Sequence, residues 1–225
     1  NAIVSIPDED LLIGQAKAAD IELSKGSYRG WMHGMPHAIK DLAYSTDLPT
    51  SEGSPIFAGT YASADDLFVS RLRAAGAIFV GKTNVPEFGY GSQTYNPVFG
   101  PTRNAYNPSL TAGGSSGGAA VGLATQMLPV ADGSDMMGSL RNPAAYNNVI
   151  GFRPSQGRVP SYYVNSDSFY QQLSTDGAMG RNVEDMMRLL FIMSGPDNRV
   201  PLSLKDPLPN YDDLKAPNLR DPKIG

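Results

Sequence analysis

Two serine-bearing turns and one lysine carry most of the chemistry this chain could perform. Gly114-Ser115-Ser116-Gly117-Gly118 has the G-x-S-x-G form of a nucleophile elbow. An elbow of that kind needs an Asp or Glu and then a His later in the chain. The two histidines, His33 and His37, both lie upstream, so no such triad can follow within these residues. A phosphate-binding loop would close its glycine run with Lys-Ser or Lys-Thr, and Ala119-Ala120 stand there instead. His33 and His37 are separated by Gly34 and Pro36, so they do not share a helical face as a metal pair, and loop or core packing is the stronger reading for both.

A serine hydrolase without a histidine needs another base, and lysine is the known substitute. Lys40 closes an apolar, tightly punctuated segment, where burial could bring an amine down from its usual value of about 10.4 toward neutrality. On residue type alone, a solvated lysine at a strand end is the commoner reading. The second serine turn runs from Gly133 to Ala144 and contains Gly138-Ser139. A serine between a strand and a helix sits beside unpaired backbone N–H groups, which is what an oxyanion hole requires. Taken alone, a Gly-Ser pair before a helix is usually a cap.

These residues need elements to position them. Residues 8–24 carry acidic residues first and apolar residues at helical spacing, which predicts a surface helix. Pro36–Asp41 suits a strand that delivers Lys40 at its end. Ser63-Ala64-Asp65-Asp66 has the form of a capping box, followed by a helix through Leu67, Leu72 and Ala75 that stops at Gly76. Ala77–Gly81 then reads as a buried strand, and this succession indicates an α/β layer architecture. Residues 84–112 show no sustained period, and a loop of that length is usually functional. Ala119–Leu123 reads as a short helix and Met127–Ala131 as another buried strand. Asn182 can cap a helix to about Met193, with Met186, Leu189, Leu190 and Met193 on its apolar face. Residues 196–222 read as a long connection, and Pro222-Lys223-Ile224-Gly225 as the start of a strand.

Composition narrows the partners. The formal net charge of −4 argues against a polyanion, so no nucleic acid is expected. No apolar run is long enough to span a bilayer. The absence of cysteine removes disulfides, thiolate metal sites and a cysteine nucleophile, and it fits a cytoplasmic location. No signal peptide is read at Asn1-Ala2-Ile3-Val4.

Gly34–Asp41, Gly113–Gly118, Gly133–Ala144 and Gly151–Val159, taken in order, resemble the amidase signature family, and Gly81–Phe88 resembles the family's intervening segment. The resemblance runs from about residue 30 to about residue 160. It implies an α/β fold with a mixed β-sheet core covered by helices on both faces. Residues 1–225 would form a single catalytic domain cut short at its C-terminus, the N-terminal half of the full domain. It also implies roles. Lys40 matches the general base, Ser115 the bridging serine with a cis peptide bond to Gly114, and Ser139 the nucleophile. The interval of 24 positions between Ser115 and Ser139 favours Ser115 over Ser116. Backbone N–H groups of Met136, Met137, Gly138 and Ser139 would form the oxyanion hole, with Asp135 and Arg141 holding the loop in shape. No metal or cofactor is called for.

The implied activity is hydrolysis of a carboxylic amide through an acyl-enzyme, with a small-molecule amide as substrate; a homodimer is compatible with it. Two other readings stand beside it: a glutamine-hydrolysing component of an amidotransferase, and a non-catalytic binding protein on the same fold. One departure is Met137, where the family usually has glycine. A methionine there either keeps negative φ or impairs activity, and Met136 and Met137 are expected to line an apolar acyl pocket.

Overall fold

The computed structural model describes residues 1–162 and 172–209. In chain order these form β1 (Ile3–Val4), α1 (Glu9–Ser24), β2 (Pro36–Lys40), α2 (Leu67–Ala74), β3 (Ile78–Thr83), α3 (Gly117–Ala124), β4 (Val130–Asp135), α4 (Arg141–Tyr146), β5 (Ile150–Phe152), β6 (Thr175–Gly180) and α5 (Val183–Met193). The strands make two sections of three. In one, β3 lies between β2, which runs parallel to it, and β1, which runs antiparallel. In the other, β6 lies between β4 and β5 and is antiparallel to both.

Successive side chains of a strand point to opposite faces, and the core follows that rule. Ile39, Phe79, Val130 and Ala178 pack with Phe68, Val69 and Leu72 of α2 and with Met186, Leu189, Leu190 and Met193 of α5. Their chain neighbours Ala38, Val80, Ala131 and Met179 pack on the other side, with Ala119, Ala120 and Leu123 of α3 and Ala144 of α4. Each fully buried Leu or Met contributes about 1.5–3 kcal/mol. The mixed sheet with helices on both faces is therefore the architecture of the described residues. The alanines facing α3 matter to the site, because small side chains let the helix after Ser115-Ser116 lie close to the sheet.

At the seam between the two sections, a side chain of β4 bonds to the backbone and a side chain of β2. Asp132 of β4 accepts the Lys40 backbone N–H at Oδ2 (3.1 Å) and pairs through Oδ1 with His37 Nε2 (2.9 Å), both on β2. A carboxylate thus does here what a ladder hydrogen bond does elsewhere in a sheet. His37 is a packed core residue, which agrees with its sequence reading.

Several elements differ from expectation. The apolar residues of α1 are none of them buried, and Asp8 caps the helix by accepting from Asp10 N–H. No capping box forms before α2: Asp66 takes the Tyr44 N–H, while Asp65 pairs with Arg73 and Thr46. β3 runs to Thr83, two residues past Gly81, and buries Lys82. β4 begins at Val130, after Met127 and Leu128, whose N–H groups are still bonded to the Gly122 carbonyl of α3, and extends to Asp135, which pairs with Thr175 of β6. β5 and β6 were not foreseen; with two glycines and an aspartate in six residues, β6 has poor strand propensity and owes its form to partners on both sides. The helix capped by Asn182 and its four buried apolar residues are as read. Residues 222–225 lie outside the described residues.

Asp132→Ala in the full-length protein leaves the His37 ring and the Lys40 N–H without their acceptor. It should cost about 3 kcal/mol, and Asp132→Asn, which keeps one acceptor, less. Urea denaturation measures both; an unchanged midpoint for Asp132→Ala would mean that the seam is not held by this carboxylate.

Candidate active site

β2 ends at Lys40, whose side chain is 1% exposed. Its Nζ lies 2.8 Å from Ser115 Oγ, 2.9 Å from Ser134 Oγ and 3.3 Å from the Ser134 carbonyl. Burial pushes this amine down to about 7, against the opposing pull of Asp132, Asp176 and Asp135. The chain just after Lys40 is pinned by a second buried lysine. Lys82 Nζ reaches Thr50 Oγ1 (2.9 Å) and the Ala43 carbonyl, and Asp41 takes both the N–H and the hydroxyl of Ser51.

Ser115 follows a cis peptide bond from Gly114 and is buried. Glycine is needed before it, because a Cβ on Gly114 would sit 2.8 Å from the Gln93 nitrogen. Thr94 completes the support: its hydroxyl donates to the Gly113 carbonyl (2.8 Å) and accepts from Gly117 N–H (3.2 Å). The long loop over residues 84–112 therefore has an identifiable task, which is to brace the serine turn.

Ser139 stands at the head of α4, half-buried. Its carbonyl accepts the Ser116 N–H at 3.2 Å, so the two serine turns are directly joined. Its hydroxyl makes no hydrogen bond among the described residues, and the link from Ser115 Oγ to Ser139 Oγ is not formed. Of the three residues singled out by sequence, Lys40 and Ser115 are in contact, while Ser139 is tied to them through backbone alone.

The loop before Ser139 is wound around Asp135. This carboxylate accepts from Gly138 N–H (2.8 Å), Leu140 N–H (3.1 Å), Arg141 Nε and Nη2 (3.0 Å each) and Arg153 Nη1 (3.0 Å). Burial pushes its carboxyl up, but these donors together outweigh it and hold the group well below the usual carboxylate range. Asp135 and Arg141 are joined as opposite charges across the turn. The expectation for Gly138 needs correction. Its N–H is committed to Asp135, so it has no free donor for an oxyanion. The N–H groups of Met136, Met137 and Ser139 have no partner among the described residues. Gly138 itself adopts φ +115, where a Cβ would meet the Asn142 side chain at 2.8 Å. Met137 keeps a negative φ and is 85% exposed, and Met136 is exposed too, so the apolar wall expected of them is not closed within the described residues.

Sequence reading missed three polar groups around the amine: Asp132, Ser134 and Asp176. The first two had a signal, since Asp132 and Ser134 alternate on a strand read as ending at Ala131. Asp176 had none, because β6 itself was unread. Among the described residues no cluster of His, Cys, Asp and Glu could hold a metal.

Comparison with known proteins adds to this geometry. The sequence matches the Amidase family over residues 1–225. It is 37% identical over 225 residues to a component of the glutamyl-tRNA(Gln) amidotransferase of Cyanothece sp., a match covering all of this chain and 46% of that protein. A bacterial aryl acylamidase of the amidase signature family superimposes with a TM-score of 0.85 at 33% identity, over 92% of this chain and 43% of that one. The 6-aminohexanoate cyclic dimer hydrolase, solved with its substrate, superimposes with a TM-score of 0.82 at 30% identity, over 95% and 43%. The chain thus spans less than half the length of these relatives.

An amine that gives up its proton on folding leaves a mark on stability. Between about 7 and the ordinary 10.5, the unfolded lysine holds a proton that the folded one does not, so stability rises with pH across that window; below about 7 the burial cost is felt in full. Lys40→Met removes the titrating group. Thermal denaturation of the full-length protein between about pH 6 and pH 9 should show a wild-type Tm that climbs relative to the variant's. Parallel curves would contradict a depressed amine.

Proposed function

The chain belongs to the amidase signature family, and from that membership we propose that it carries the catalytic residues of an amide hydrolase, with residues 1–225 part of one catalytic domain. Lys40 is the base, Ser115 the relay and Ser139 the nucleophile. What carries the reading is the contact between a buried amine pushed down to about 7 and the hydroxyl of Ser115 at 2.8 Å.

The reaction begins with a relay. Neutral Lys40 accepts the proton of Ser115 while Ser115 takes that of Ser139. The Ser139 oxygen attacks the amide carbonyl carbon, and the negative charge that develops on the carbonyl oxygen is met by the free N–H groups near the turn, each contributing about 3 kcal/mol. Ser115 then passes a proton to the leaving nitrogen, the C–N bond breaks, and an ester on Ser139 remains. Water, deprotonated along the same route, hydrolyses that ester. Rotation of the Ser139 hydroxyl toward Ser115 is required on substrate binding, as catalytic hydrogen bonds often close only in the substrate complex. A cytoplasmic location completes the reading; among the described residues no helix is long and apolar enough to cross a membrane.

A second reading draws on the 37% identity to an amidotransferase component. In it the same chemistry releases ammonia from glutamine for a partner enzyme. A full-length sample that hydrolyses simple amides alone favours the first reading; turnover of glutamine only within a complex favours the second.

A fluorophosphonate probe should label the full-length protein, and Ser139→Ala should abolish labelling. Lys40→Ala should lower kcat/KM by about 10²–10⁴-fold with the fold intact. Because the base must be neutral, kcat/KM should fall as pH drops through about 7. Labelling retained in Ser139→Ala would remove that residue as nucleophile.

A further inference from the structure

The reaction outlined above leaves one buried carboxylate beside the base unused. Asp176 lies in β6 opposite Ser134 in the antiparallel register, and its side chain is buried. Ser134 is the residue that flanks Lys40 Nζ with both its hydroxyl and its carbonyl. Between them is a cavity of about 20 Å³, lined by Lys40, Asp132, Ser134 and Asp176 together with apolar neighbours. That volume admits about one water molecule, and the polar groups around it would satisfy one. On its far side Asp176 Oδ2 accepts the Ser161 hydroxyl at 2.7 Å.

We propose that Asp176 is a positioning residue for the amide-hydrolysing reaction: its carboxylate, sharing this small cavity with the Lys40 amine, sets how readily the amine gives up and takes back the relayed proton. The inference rests on Lys40 being the base. Its physical content is a balance. Burial alone disfavours the ammonium form, and an amine stripped of every counter-charge would be too weak a base to draw a proton through Ser115. A nearby carboxylate restores basicity without reaching the amine directly.

Among the described residues, the charged groups facing this pair come from three elements. Asp132 and Asp135 come from β4, with Asp132 already shared between His37 and the Lys40 N–H. Asp66 stands before α2 and Lys82 on β3. Burial pushes Asp176 up to about 6, with Asp132 adding to the rise and the Ser161 hydrogen bond and Lys40 opposing it.

Asp176→Asn keeps the shape and removes the charge. In the full-length protein the acid limb of the kcat/KM profile should move about one pH unit lower, and the Lys40 amine, followed by NMR in protein carrying ¹³C-labelled lysine, should titrate lower by the same amount. Ser161→Ala weakens the ionised form of Asp176 and should shift both readouts the same way by less, which keeps the test available if Asp176→Asn fails to fold. An amine midpoint that does not move overturns the role of Asp176. A midpoint that moves while the rate limb stays put overturns the proposal through its premise, since Lys40 would then not be the base. The two failures are told apart by the NMR titration, which needs no turnover.

Discussion

A lysine amine enclosed by protein must be paired, neutral or poised between the two, and the architecture around Lys40 imposes that choice. β2 ends with the side chain directed into the seam between two sheet sections, away from water. Two hydroxyls and a carbonyl meet the amine there, while carboxylates stand further back. Hydroxyls exchange protons with a neutral amine, whereas a carboxylate in contact would hold it charged. In the proposed relay, a neutral Lys40 can take the proton of Ser115 because the groups nearest the amine are hydroxyls.

Three aspartates divide the remaining work by position. Asp132 joins β2 to β4 and fixes where Lys40 starts; Asp135, three residues later, gathers the turn that carries Ser139. Asp176 faces the amine from the neighbouring strand. Two of them stand on one strand, so the seam and the serine turn are anchored to the same element. The third depends on β6 being held between β4 and β5. Such division explains how a segment as short as Val130–Asp135 can serve both the fold and the site.

Much of this was legible in the sequence, and the limits are physical. Strong local signals held up: the strand ending at Lys40, the helix capped by Asn182, the helix stop at Gly76 and the glycine turn at Ser115. Failures came where partners, rather than propensity, decide. β6 forms from Thr-Asp-Gly-Ala-Met-Gly because it is paired on both edges, and nothing local announces that. The capping box at residues 63–66 did not form because Asp65 and Asp66 found distant donors in Arg73 and Tyr44. The site shows the same division. Family resemblance supplied Lys40, Ser115 and Ser139, whereas the loss of the Gly138 N–H to Asp135 and the presence of Ser134 and Asp176 emerge only in three dimensions.

The account stands on the protonation state of one amine. Neutron diffraction from crystals of the full-length protein, grown in deuterated buffer somewhat above pH 7, would locate the deuterons on Lys40 Nζ directly. The structure predicts a neutral amine whose lone pair faces Ser115 Oγ, with the Ser115 deuteron lying between the two atoms. A fully deuterated ammonium donating to Ser115 under those conditions would contradict it.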